Sequence, residues 1–226
     1  MGACFNRPTA LFSAVEKGDV ELVASLLEKG AKKDLETKCG FFRTTPLNSA
    51  AYSLNVAMAK LLIDAGADVN ARMGFELKNC VLFCLVDGNI GECTNNCACS
   101  DPEPESLKKF DEILQMMLKA GLDVNAASMD FYKDKPEKRT CTDEIAWSMN
   151  ETPLARAAYN RNPAVVKLLL DAGADQTIAC ASGETPLERA VREHEYFGTD
   201  GPPVNREAEA QVLALLRGET VPTVHV

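Results

Sequence analysis

Cysteine is the residue type in this chain best placed to do chemistry. Nine are present, and five crowd into twenty residues: Cys80, Cys84, Cys93, Cys97 and Cys99. Thiolates at short spacing can hold zinc tetrahedrally, so Cys93, Cys97 and Cys99 in GECTNNCACS are the candidate metal ligands. Their C-x3-C-x-C spacing lacks the second, distant pair that a structural zinc site uses. Chance clustering in a loop therefore leads, and a disulfide within 93–99 formed on oxidation stays open. The two histidines give little to catalysis. His194 lies between Glu193 and Glu195 at a helix end, and His225 lies in the tail. No phosphate-binding glycine loop, nucleophile elbow or H-E-x-x-H pair occurs, and no nucleophile sits near a base. No catalytic residue and no cofactor are expected, and the chain reads as a non-enzyme.

Charge narrows the partner. The 226 residues carry 33 acidic against 24 basic side chains, a formal net charge of −9, with pI near 4.9. Sequence-independent nucleic-acid binding needs clustered Lys and Arg, so this balance argues against it. It suits another protein with a basic or mixed-charge face. No apolar run approaches a membrane span, and the N-terminal stretch is too short and interrupted for a secretory signal. An odd cysteine count without an export signal implies reduced thiols and a cytoplasmic location. The start Met-Gly-Ala-Cys partly matches an acylation site, but Asn6 stands where that motif wants Ser or Thr.

Positioning elements emerge from self-similarity. PTALFSAVEKGDVELVASLLEKGAKKD from Pro8, TPLNSAAYSLNVAMAKLLIDAGADVNA from Thr45, TPLARAAYNRNPAVVKLLLDAGADQTI from Thr152 and TPLERAVREHE from Thr185 align with one another. A fifth copy is split into CVLFCLVDGN (80–89) and FDEILQMMLKAGLDVNA (110–126). The Thr of TPL is a good N-cap, and Pro follows where a helix loses no hydrogen bond. Ala-Ala lets two helices approach. Gly66, Gly121 and Gly173 stand where a left-handed C-terminal cap favours glycine. Each unit is a helix–turn–helix whose apolar face cannot be buried alone, so neighbours must stack.

These residues resemble the ankyrin repeat, with its TPLH-x-AA start and GADVNA ending. The resemblance implies an all-α solenoid of helix–turn–helix units with short hairpin fingers, acting by protein binding. The usual His after TPL is replaced by Phe12, Asn48, Phe83, Ala155 and Glu188. Five repeats are expected, at about 8–40, 41–73, 78–126, 150–180 and 183–218, in a single domain over 1–218 with a flexible tail at 219–226. An insertion at 90–106 splits the third repeat, one near 197–206 enlarges the fifth, and 127–150 lies between repeats.

In the resembled family the concave face is built from the fingers and the outward positions of each first helix. Carried over, those helix positions are Ser49, Tyr52, Ser53, Cys84, Asp87, Arg156, Tyr159, Asn160, Arg189, Arg192 and Glu193. The fingers add Phe41, Phe42, Met73, Phe75, Phe131 and Trp147. Tyrosine and arginine recur among interface hot spots, so Tyr52, Ser53, Asp87, Arg156, Tyr159, Arg192, Phe75, Phe131 and Trp147 are the candidate partner-binding residues. The expected role is a cytosolic adaptor or an inhibitor or immunity-type protein, monomeric on its own. The alternative is a metal or redox sensor using the loop 93–99. Asn70 and Asn125 in the VNA endings either cap their hairpin turns or match asparaginyl-hydroxylation acceptors.

Overall fold

The structure is a computed structural model that describes residues 8–40, 43–72, 81–86, 103–128, 150–191 and 206–219. Ten α-helices lie within them, in five consecutive pairs, and no strand occurs among the described residues. The pairs are α1 (Ala10–Glu16) with α2 (Val20–Glu28), α3 (Pro46–Tyr52) with α4 (Val56–Asp64), and α5 (Val81–Val86) with α6 (Pro104–Lys119). Then come α7 (Pro153–Tyr159) with α8 (Pro163–Asp171), and α9 (Pro186–Val191) with α10 (Arg206–Leu216).

Helix starts follow from the capping chemistry of the sequence. Thr9, Thr45, Thr152 and Thr185 each accept the backbone N–H three residues on, at 3.1, 3.3, 3.2 and 3.4 Å. The second helices α2, α4 and α8 use Asp19, Asn55 and Asn162 in the same way. Two of the residues that replace the usual His join the cap. Asn48 Oδ1 accepts both the backbone N–H and the hydroxyl of Thr45, at 3.0 and 2.6 Å. Glu188 Oε2 does the same for Thr185, which holds its carboxyl below the ordinary carboxylate range. Phe12 and Ala155 are instead buried in the core.

One cap can be tested directly. Thr45 is 1% exposed, so Thr45→Ala strands buried polar groups that water cannot reach. A loss of about 1–2 kcal/mol is expected in urea unfolding, with most of it restored by Thr45→Ser. Equal stability of all three proteins would show that the proline and the packing set this helix start without the cap.

Successive first helices pack side by side in the order α1, α3, α5, α7, α9, and the second helices follow as α2, α4, α6, α8, α10. Alanines at 14, 50, 51, 157, 158 and 190 are essentially without exposure, letting the first layer close up. Leu11, Leu47, Leu82 and Leu154 repeat one inward position of that layer, while Val23, Met58, Leu62, Ile113, Leu114, Val166 and Leu169 face it from the second. All belong to one continuous apolar cluster. At roughly 1.5–3 kcal/mol for each fully buried large aliphatic side chain, this seam supplies the main driving force.

Where they are described, the ends of the insertions at 90–106 and 127–150 are built into the stack. Helix α6 begins at Pro104, so 104–106, read as the end of the insertion, are helical and extend α6 to 16 residues against 9 for α4 and α8. Proline at the first helical position and partly buried Leu107 account for the extra turns. The segment 127–150 leaves and returns at one point. Ser128 N–H donates to the carbonyl of Glu151 at 2.8 Å, and Glu151 N–H donates to Ser128 Oγ at 3.0 Å. The rest of that insertion, like 90–102 and 197–205, lies outside the described residues.

Candidate partner-binding surface

The C-terminal ends of the first helices form the row that the sequence singles out. Tyr52 ends α3 and is 46% exposed, and Ser53 beside it is exposed. One residue group upstream, Ser49 Oγ donates to Glu16 Oε1 at 3.1 Å, tying the second repeat to the first beside this row. Tyr159 ends α7 in the equivalent position but is half-buried. Asp87, Arg192, Phe75, Phe131 and Trp147 lie outside the described residues, as do Phe41, Phe42, Met73, Glu193 and the side chain of Cys84.

Beneath Tyr159 the arginines take a place that helical position alone does not reveal. Arg189, expected to point outward, is 3% exposed. Its Nη2 lies 2.7 Å from Glu151 Oε1 and its Nη1 lies 3.6 Å from Glu184 Oε2. Its Cζ stands 4.5 Å from the centroid of the Tyr159 ring, within cation–π range. Arg156 Nε lies 3.2 Å from Glu151 Oε2, with 15% of the arginine side chain exposed. Glu151 itself has no exposed surface. A buried carboxylate here holds one arginine from its own repeat and one from the next. Each pairing needs a partner because an isolated buried charge costs several kcal/mol. The sequence carries a signal for this cluster: E-T-P-L-x-R occurs twice, at 151–156 and 184–189, and in both copies the Glu faces the Arg.

Two cysteines lie at finger bases, where the backbone makes the contact. Cys39, Ser128 and Cys180 occupy matching positions at the base of three fingers. Each donates its backbone N–H to a carbonyl just before a TPL-type cap, at 2.9 Å to Thr44, 2.8 Å to Glu151 and 2.9 Å to Glu184. Cys39 and Cys180 are free and buried. Among the described residues no group of His, Cys, Asp and Glu could hold a metal ion. Cys93, Cys97 and Cys99 lie outside those residues.

At the far ends of the second helices the repeats are joined by asparagine amides. Asn70 Nδ2 donates to Gly121 O at 3.0 Å, and its Oδ1 accepts from Asp123 N–H at 2.9 Å. Asn125 Oδ1 accepts from Asp175 N–H at 2.8 Å. The turns themselves are capped by the acidic residue two positions earlier, since Asp68, Asp123 and Asp175 accept from the N–H of Asn70, Asn125 and Thr177. These asparagines thus link neighbouring repeats, which corrects their reading as turn caps. The Thr177 hydroxyl and N–H together hold the Asp175 carboxyl below its ordinary range.

Geometrically the surface is a rigid frame with one exposed and one supported tyrosine, and no catalytic grouping accompanies it among the described residues. No helix there is long and apolar enough to cross a membrane. A family model described as ankyrin repeats (3 copies) matches residues 2–73 and 107–198. The chain is similar to the human ankyrin repeat and SOCS box protein 16, 28% identical over 92% of this chain, and spans 44% of that protein's length. It is also 28% identical, over 80% of its length, to a putative ankyrin repeat protein of fowlpox virus, 91% of which is covered.

Proposed function

The chain belongs to the ankyrin-repeat family, and from that premise we propose that it acts by binding another protein through the first-helix ends and fingers, without catalysis. Ankyrin repeats generally mediate protein–protein interaction. The observation that carries the reading here is Tyr52, a large amphipathic ring 46% exposed on a helix whose neighbours are tightly packed. Such a ring on a rigid frame offers contact area at low ordering cost. Tyr159 continues the row, and Asp87, Arg192, Phe75, Phe131 and Trp147 are proposed to complete it. Arg156 contributes through its exposed edge while its Nε stays with Glu151.

An adaptor or an inhibitor or immunity-type binder, working as a monomer in the cytoplasm, fits the acidic balance of the chain. A net charge of −9 favours a partner with a basic or mixed-charge face. The similarity to a human protein named for both ankyrin repeats and a SOCS box is compatible with the adaptor form. The sensor alternative draws on the cysteines of 93–99 alone.

The test uses a partner co-purified with the full chain and then isolated. Combined Tyr52→Ala and Tyr159→Ala substitution is expected to weaken its binding by about 30-fold or more in calorimetry, since one hot-spot tyrosine is worth about 2 kcal/mol. Circular dichroism of the doubly substituted chain should match the parent. Undiminished affinity would move the interface off this face.

A further inference from the structure

Tyr52 and Tyr159 hold the same position in their repeats, yet the first is 46% exposed and the second half-buried. At Tyr159 the following repeat supplies a contact. Behind Tyr159 stands Arg189, at the Arg position of the second E-T-P-L-x-R copy, whereas the matching residue after Tyr52 is Cys84. The guanidinium of Arg189 cannot swing away, because it would leave Glu151 at 2.7 Å and Glu184 at 3.6 Å and strand charge in a buried site. A cation fixed in this way attracts the ring more strongly than a solvated one would.

We propose that Arg189 is a positioning residue that, anchored by Glu151 and Glu184, presents Tyr159 to the partner in one fixed orientation. The proposal rests on the protein-binding reading of this face and adds an asymmetry to it. Tyr159 meets a partner with its ring held by Arg189 as well as by its helix, while Tyr52 is carried by its helix without such a cation, so the two ends of the row are fixed to different degrees. The planar fork matters as much as the charge: lysine at position 189 keeps the cation but cannot reach two carboxylates and a ring face together.

The free full-length chain is the test object, labelled with 3-fluorotyrosine. Its four tyrosines give four fluorine resonances, and Tyr52→Phe and Tyr159→Phe assign the two of interest. In Arg189→Lys the Tyr159 resonance is expected to move toward that of Tyr52, with Tyr52 unmoved and helical dichroism retained. Glu151→Gln should shift it in the same direction. An unmoved Tyr159 resonance in folded Arg189→Lys overturns the proposal. Should that chain fail to fold, Glu184→Gln decides, because a carboxylate 27% exposed can be neutralised without stranding a fully buried group. A Tyr159 shift there supports the anchoring, and none refutes it. These readings need no partner, so they stand apart from the binding test of the double tyrosine substitution.

Discussion

Phe110→Ala lowers the unfolding free energy of the array by about 3–5 kcal/mol, the expected cost of emptying a fully buried aromatic site. Phe110 has no exposed surface and is among the largest fully buried side chains. It sits in α6, packed between α4 and α8, in the middle repeat of the stack. In a one-dimensional array each repeat is held only by its neighbours, so weakening the third loosens repeats on both sides at once. Against a total stability of roughly 5–15 kcal/mol, that loss removes a large share. The urea transition of Phe110→Ala is therefore expected to move to lower denaturant and broaden or split, as the two flanks lose their coupling. Phe110→Leu, which nearly keeps the volume, should cost about 1.5 kcal/mol or less and preserve one transition. A substitution to Ala that leaves the midpoint unmoved would show that α6 is not the joint between the two halves.

Local chemistry explains why so much of the frame is legible before any coordinates. The caps at Thr9, Thr45, Thr152 and Thr185 need only a hydroxyl and a backbone N–H three residues away. Gly66, Gly121 and Gly173 adopt φ of +97, +88 and +85°, as a C-terminal cap requires, and Gly218 at +70° matches them. What escapes is decided across repeats, where sequence spacing is silent. Arg189 reads as an outward residue by its place in the helix, and only the finger of the preceding repeat, bringing Glu151 to 2.7 Å, explains its burial. Asn70 reads as a turn cap until Asp68 is seen to take that role, which frees the amide to span to Gly121. Tyr52 and Tyr159 are equivalent in the alignment and unequal in exposure, and the contact of Arg189 with the Tyr159 ring is likewise made across repeats. The recurring E-T-P-L-x-R is the one linear trace of this layer. It becomes informative when the Glu before each cap is read as a partner for the Arg one turn into the helix.

Burial rather than distance sets the worth of that layer, and two ion pairs of equal length make the comparison clean. Arg189–Glu151 and Lys167–Asp171 are both 2.7 Å pairs. The side chains of the first are 3% and 0% exposed, those of the second 61% and 60%. Removing Lys167 from its i, i+4 pair should cost only about 0.3–0.5 kcal/mol, fading with added salt as screening takes effect. Arg189→Ala instead leaves a buried carboxylate short of its nearest cation, and a loss of about 3–5 kcal/mol is expected. Salt should change that loss little, because ions do not enter the site. The magnitude measures the cost of breaking the pair and not the net value of having it. Replacing both partners together, as in Glu151→Leu with Arg189→Met, should therefore recover part of the loss, since a packed apolar pair escapes the desolvation penalty of that one pair. Arg156 loses the same carboxylate in the double variant, and its Nε is buried, so part of the loss remains. Urea unfolding of Glu151→Leu, Arg189→Met and the double, beside Arg189→Ala and Lys167→Ala, at low and at 0.5 M salt, on the order of a several-fold change in Debye screening, completes the cycle. Should Arg189→Ala cost no more than Lys167→Ala, or lose its effect in salt as that variant does, the guanidinium is hydrated in solution and the buried network does not hold the fifth repeat to the fourth.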